Sequence, residues 1–266
     1  MSRIRNIFII ASFILSFIAT EGQQNKFAAP SSFPDKYTVY IYQKSNWDGS
    51  HFSNIFLYVN DSSKLESFKW NKGDSWSTLV AAIIDWSTFS IRKLGNYRVF
   101  KTGKRELFAE LEVTEPLKIK YHVGDFSDSM ILLSEFWHSY DFDFSGLGFI
   151  WRALKNKRDS FSFLIADASF KDNKIGFENK GFVQVLYTSN EVINGEKCFK
   201  YKIDGAGLMN KGGFIWINSQ TMMIELFRIA LPDEEGFKDG QLKLLSTIKM
   251  SPEQWNRFID DKMKEE

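Results

Sequence analysis

The chain has 266 residues, and its 34 basic side chains nearly balance its 33 acidic ones. Because no basic run or stripe stands out, the charge pattern does not favour a nucleic-acid partner. Cys198 is the only cysteine, which excludes an internal disulfide, so the folded chain must rely on an ordinary apolar core. The aromatic share of 16% can supply that core and suits strands better than helices.

The first residues are typical of a secretory signal peptide. Arg3 and Arg5 give a positive start, and residues 7–19 form an apolar run that only two serines interrupt. The run is shorter than the roughly 20 residues that a transmembrane helix needs. With cleavage after Gly22, the pattern predicts a signal peptide over 1–22 and export to the periplasm of a Gram-negative cell or to the extracellular space. The alternative is an uncleaved N-terminal anchor, and the mature chain is expected to carry no transmembrane segment.

Residues 23–35 are polar, small and proline-containing, which predicts a flexible leader ahead of a single β-rich domain over 36–266. From about residue 36 to 134, short apolar runs alternate with turn residues, the pattern of an antiparallel meander. The strands predicted for this part are 37–43, 50–60, 64–70, 97–101, 106–113, 117–123 and 129–133.

The side chains on both faces of one predicted hairpin favour the same pairing register. If residues 114–116 form its loop, Val113 faces Leu117, Glu112 faces Lys118, Leu111 faces Ile119 and Glu110 faces Lys120. Leu107, Ala109, Leu111 and Val113 then share the buried side, and the charged side is predicted to face water.

Residues 75–85 fit two kinds of element. Trp76, Leu79, Val80, Ile83 and Ile84 have helical spacing after Asp74, a plausible N-cap. The valine, isoleucine and threonine content fits a buried strand equally well, so both alternatives stay open.

The meander resumes after a middle stretch, with strands predicted over 161–166, 181–189, 197–204, 213–218 and 221–230. Asn194-Gly195 is a strong signal for a tight hairpin turn. The strand that follows places Cys198 on the side of Lys200, which predicts a half-exposed cysteine and not a nucleophile.

The C-terminus predicts an amphipathic helix. Ser251 is a candidate N-cap, Pro252 occupies the first helical position, and Gln254 completes a capping box. Together these elements predict a mainly β protein: a large antiparallel meander forming a curved half-barrel or a two-layer sandwich, with this helix and one or two further short helices.

The stretch 137–144 has the densest set of residues that could carry chemistry. In an extended chain Asp141 and Asp143 share a face, whereas His138 and Tyr140 share the other, so the alternation separates His138 from the carboxylates. We weigh capping and solvation above a metal or acid–base site. No catalytic set, metal site or cofactor motif is found elsewhere, and we predict no catalytic residues, no metal and no cofactor.

Several strands are apolar on both faces, notably 37–42 and 213–217. Such strands need a helix, a second sheet or an apolar ligand on each side, and helices and loops are the simpler explanation. The candidate ligand-binding residues are Trp137, His138, Tyr140, Asp141, Asp143 and Trp216.

The signal peptide, the meander, the C-terminal helix and the runs from Cys198 to Gly205 and from Gly213 to Asn218 resemble the LolA/LolB/LppX-like lipoprotein-carrier superfamily. The resemblance implies a curved sheet around helices that encloses an apolar cavity for acyl chains in the periplasm. The sequence lacks the long helix that those carriers have after the leader, so no site residue is transferred. An uncharacterised exported β-protein family is equally consistent.

We therefore expect an exported, non-catalytic binding protein that carries an apolar ligand such as a lipid or acyl chain. One alternative is an envelope scaffold or carbohydrate-binding module, and another is a hydrolase that uses 137–144. The oligomeric state is not predicted.

Overall fold

The computed structural model describes residues 26–28, 35–61, 63–85, 90–140, 145–171, 174–232 and 236–265. Within them the chain forms one 15-stranded sheet, two α-helices and two short 3₁₀ turns. The strands are β1 (Thr38–Ser45), β2 (Ser53–Val59), β3 (Lys64–Trp70), β4 (Trp76–Asp85), β5 (Ser90–Phe100), β6 (Arg105–Glu115), β7 (Lys118–Val123), β8 (Phe126–Ile131), β9 (Trp137–His138), β10 (Phe161–Lys171), β11 (Lys174–Ile193), β12 (Glu196–Asp204), β13 (Gly213–Asn218), β14 (Ile224–Ile229) and β15 (Gly240–Lys249). The helices are α1 (Ile150–Ala153) and α2 (Pro252–Lys262), and the 3₁₀ turns are Ser145–Phe149 and Ala206–Leu208.

The sheet follows chain order except at its centre. β1 lies between β2 and β15, and from there the strands run outward to two edges, β8 and β9. Neighbouring strands are antiparallel, and β9 alone pairs parallel, with β10. Among the described residues no ladder joins β8 to β9, so the sheet stays open. This confirms the prediction of a mainly β meander.

Both halves of the sheet line one core, which shows that the sheet curls around it. The concave side brings Leu94 and Ile119 from one half together with Phe163 and Val183 from the other. Neighbouring strands that share a core face in this way bury the side chains at every second position. The predicted curved half-barrel is therefore the architecture observed.

The segment 145–154 lies inside the curve and fills much of it. Trp151 packs its ring 5.5 Å from Phe161 and 5.4 Å from Tyr201. Arg152 forms an ion pair with Asp35, and its guanidinium donates a hydrogen bond of 3.1 Å to the Tyr40 hydroxyl. This segment explains why Tyr40 and Tyr42 of β1 are both buried on the concave side.

Residues 26–28, within the stretch predicted to be a flexible leader, pack against the same segment. Phe27 pairs with Leu154 in an isolated β-bridge, and its ring lies 5.2 Å from Phe136. The backbone N–H of Ala28 donates to the carbonyl of Ala153 at 2.9 Å. Phe27 is thereby part of the core.

Helix α2 covers the convex side of β1 to β5. Its predicted capping box is present, with both Ser251 and Gln254 making their reciprocal bonds. Trp255 stacks on Tyr58 at 4.9 Å, and its indole N–H donates to Glu66 Oε2 at 2.7 Å. The helix thus supplies the outer layer that makes this half of the sheet buried on both faces.

The predicted register of the β6–β7 hairpin is wrong by two residues. Val113 pairs with Ile119 and Glu112 with Lys120, and a bulge follows Val113. The chain turns at Pro116 and Leu117, where Leu117 has a φ of 64°. Because side chains alternate with a period of two, a slip of two residues preserves the faces, and Leu111 and Ile119 are buried as expected.

Leu107 lies on the other face from Leu111, contrary to the prediction. A bulge in the β5–β6 ladder falls between Asn96 and Tyr97, so that Leu107 pairs with Tyr97, which packs under α2. Leu107 is consequently 49% exposed on the convex side.

The ambiguous stretch 75–85 is a strand, β4, paired with β3 and β5. Three strand assignments differ more strongly from the sequence expectation. β11 runs over Lys174–Ile193, far beyond the predicted 181–189, and β9 and β15 were not predicted. In β15 a bulge leaves Leu245 without an opposite residue on β1, which breaks the alternation that identifies strands.

Candidate functional site

Trp137 occupies β9, the edge strand that follows the link from β8. It is 1% exposed, and its ring meets Phe177 edge-on at 6.4 Å. β9 holds this position because it pairs with β10 through Leu164 and Ile165. Trp137 is therefore anchored to one half of the sheet while it faces the other half.

His138 follows on β9 and is 4% exposed. Its ring lies edge-on to Phe163 at 6.3 Å. Burial lowers the pKa of His138 to about 4, because an imidazolium would have to form away from water. The imidazole is consequently neutral at physiological pH. Next to it, the Ser139 hydroxyl donates to Asp167 Oδ1 at 2.9 Å.

Of the remaining candidate residues in 137–144, Tyr140 is the one that the structure describes. Tyr140 is half-buried and packs against the concave core. Asp141 and Asp143 lie outside the described residues, so their relation to His138 stays a prediction. Helix α1 has Phe149 at its N-cap position, without a side-chain cap.

Trp216 lies on the opposite side of the sheet from Trp137. It belongs to a small convex cluster with Cys198 and Leu226. Its indole N–H donates to Glu191 Oε2 at 2.8 Å, and Lys200 donates to the other carboxylate oxygen at 2.8 Å. These two bonds hold the pKa of Glu191 below its usual range. Trp216 and Trp137 therefore cannot contribute to one site.

Cys198 is buried, not half-exposed as predicted. Only 2% of the residue is exposed, and burial raises the pKa of its thiol to about 11. The sequence alternation predicted that the face of β12 with Cys198 and Lys200 is exposed. Cys198 is buried there because Trp216 of β13 and Leu226 of β14 pack over its thiol. A thiol at that pKa stays protonated at neutral pH.

A small hollow adjoins Trp137, and we call it the seam pocket. Its volume is about 90 Å³. Its lining comes from both sides of the unclosed sheet: Ser90, Ile91, Arg92, Val113, Pro116, Leu117, Leu132, Glu135 and Trp137. Six of these nine lining residues are apolar, Ser90 adds a hydroxyl, and the charged Arg92 and Glu135 are exposed.

Polar contacts of side chains join the two sides of the sheet near this pocket. The Ser90 hydroxyl donates to the carbonyl of Glu135. Farther along, the Asn179 amide of β11 donates to the carbonyl of Ile131 at 2.9 Å. These are side-chain contacts, in contrast to the ladders elsewhere in the sheet.

Within the part of the chain that the structure describes, no cluster of three or more His, Cys, Asp or Glu side chains could hold a metal ion. No described helix combines the length and the apolar character that crossing a membrane requires.

The sequence did not identify most of the seam pocket. Only Trp137 was among the candidates, whereas Leu132, Val113 and Ile91 carried no signal beyond their apolar character. They become neighbours through sheet curvature, which local alternation does not encode.

Among known proteins, similarity to this chain is found in solved structures. No protein-family model matches the chain, and no curated protein matches it. Among solved structures, it is similar to a β-barrel-like protein of the domain of unknown function DUF1849 from Brucella abortus. The two share 7% sequence identity over 80% of this chain and 98% of that one, with a TM-score of 0.44.

Proposed function

We propose that this protein is an exported, non-catalytic binding protein that holds an apolar ligand, such as an acyl chain, at the seam pocket. The observation that carries the proposal is a hollow with a largely apolar lining beside Trp137, where no ladder among the described residues closes the curved sheet. Apolar lining favours a ligand that gains by leaving water, at roughly 25 cal/mol per Å² of buried area.

The size of the pocket sets how such a ligand could enter. A volume of about 90 Å³ is well below the ~300–1,000 Å³ of typical ligand sites. As it stands, the pocket accepts only the end of a chain. A longer apolar ligand would need β9 to move away from β5 and from the turn after β6, and among the described residues no ladder joins β9 to either of them.

Two features of the sequence support an exported carrier. Arg3, Arg5 and the apolar run 7–19 favour export. The resemblance to the lipoprotein-carrier superfamily favours a lipid or acyl chain as the ligand. In that proposal the segment 145–154 takes the place of the helices that such a carrier keeps inside its curved sheet.

Filling the seam pocket tests the proposal. Leu132 is 2% exposed and lines the pocket, whereas the next residue, Leu133, is 64% exposed. We expect Leu132→Trp to weaken binding of the fluorescent fatty acid cis-parinaric acid by at least about tenfold, or about 1.4 kcal/mol. Leu133→Trp should bind as the wild type does.

A second variant that fills the pocket distinguishes a loss of binding from a folding defect of Leu132→Trp. Val113→Phe enlarges a half-buried residue that lines the same pocket. If the wild type does not take up the fatty acid, or if both filled variants bind it normally while folded, the seam pocket is not the ligand site.

A further inference from the structure

A second hollow, which we call the mouth pocket, opens at the other end of the sheet. Its volume is about 350 Å³, within the ~300–1,000 Å³ range of small-molecule sites. It lies where β1 to β4 meet the β3–β4 turn, whereas the seam pocket lies beyond the far end of β4. The two pockets are thus separate sites.

An exposed indole stands at the rim of the mouth pocket. Trp76, the first residue of β4, is 43% exposed, whereas Ser77 after it is buried. The Arg98 guanidinium lies 5.2 Å from the Trp76 ring and 4.3 Å from the Phe108 ring. This stack supports one side of the indole through cation–π contacts and leaves much of the residue open to solvent.

The walls of the mouth pocket are mostly polar. Ile55 contributes to the apolar part, and Lys44, Lys69, Asn71 and Asp74 bring ammonium, amide and carboxylate groups. Serine and threonine hydroxyls complete the lining. Polar and charged groups at the wall favour a ligand that can form hydrogen bonds over a purely apolar one.

A ligand that suits this pocket must both donate and accept hydrogen bonds and must also offer a flat apolar face. Asp74 and Asn71 can accept hydrogen bonds, and the two lysines can donate them. A sugar ring combines hydroxyl groups around its edge with a C–H face that stacks on an aromatic ring.

We propose that the mouth pocket binds a saccharide, with one sugar ring stacked on Trp76 and its hydroxyls bonded to Lys44, Lys69, Asn71 and Asp74. Arg98 is a positioning residue that holds the indole. This site does not rest on the apolar-ligand proposal, because it has its own lining at the other end of the sheet.

The test is a glycan array probed with the purified full chain, followed by calorimetric titration of the best-bound oligosaccharide. We expect Trp76→Ala to weaken binding at least tenfold, since aromatic anchors dominate such contacts. Trp47→Ala is the matched control: Trp47 is 44% exposed at the same end of the sheet but outside the pocket. It should bind the saccharide as the wild type does.

Two further variants separate positioning from folding and from the seam pocket. Arg98→Ala should weaken binding and increase quenching of Trp76 fluorescence by acrylamide, and Arg98→Lys should restore most of both. Leu132→Trp should leave saccharide binding unchanged. Lack of binding by the wild type to every saccharide on the array, or equal affinity of Trp76→Ala and wild type, would overturn the proposal.

Discussion

Arg152 and His138 are two ionisable side chains that the fold holds largely away from water. Arg152 remains inside the curve because Asp35 and the Tyr40 hydroxyl face its guanidinium, although burial lowers its pKa to about 10. His138, in contrast, is uncharged, because burial lowers the pKa of its imidazole. Because His138 is neutral in the folded chain, acid is expected to lower the free energy of unfolding.

The pKa of His138 makes stability depend on pH in a defined window. Above pH 6.5 the imidazole is neutral in both states. Between pH 6.5 and about 4 the unfolded chain binds a proton that the folded chain does not, so stability falls as the pH falls. The loss over that window is about 3 kcal/mol.

Urea unfolding at several pH values checks this prediction. We expect His138→Gln to flatten the decline between pH 6.5 and 4, whereas the same change at the exposed His51 leaves the slope as in the wild type. A slope unchanged by His138→Gln would show that His138 is not the source.

At the scale of elements, α2 is the clearest case of a structure specified locally. Its capping box and its apolar stripe are both present in the sequence, and both form. Trp255 then joins the helix to the sheet by stacking on Tyr58 and by donating to the buried Glu66. Losing this side chain removes packing and leaves the Glu66 carboxylate without the indole donor.

Truncating Trp255 should therefore destabilise the whole domain. We expect Trp255→Ala to lower the free energy of unfolding by about 3–5 kcal/mol, the range for large aromatic core residues. Arg257→Ala, an exposed site on the same helix, should change it by less than about 0.5 kcal/mol. A cost near zero for Trp255→Ala, measured by urea denaturation, would mean that α2 does not pack on the sheet.

Strands were predictable where alternation is unbroken, and less so where bulges interrupt it. The faces of β7, and of β6 from Ala109 to Val113, followed from the sequence because apolar and charged residues alternate there, whereas the bulge in the β5–β6 ladder put Leu107 on the face opposite to the one predicted. The register did not, since Glu112 can face either Lys118 or Lys120 with the same complementarity. The bulge beside Leu245 concealed β15, and residues 75–85 carry both helical and strand periodicity.

At the scale of the whole molecule, the decisive contact is the pairing of β15 with β1. It joins residues near both ends of the chain, from Thr38 with Lys249 to Ser45 with Gln241. No local pattern encodes such a pairing, because each strand is compatible with many partners. This long-range pairing joins the two halves of the sheet that line the common core.

The open seam is the feature on which the proposed function depends. β8 and β9 are the two edges of the sheet, and among the described residues no ladder joins them. The Ser90 hydroxyl of β5 donates to the Glu135 carbonyl just before β9. An apolar ligand beside Trp137 would cover the apolar side chains that line this opening.

Native mass spectrometry of the protein purified from the organism that makes it tests this claim most directly. We predict a mass above that of the bare chain, with the excess released as lipid or acyl species by organic solvent and lost from Leu132→Trp. A chain that carries no lipid, or that carries as much lipid in Leu132→Trp as in the wild type, would contradict an apolar ligand at the seam.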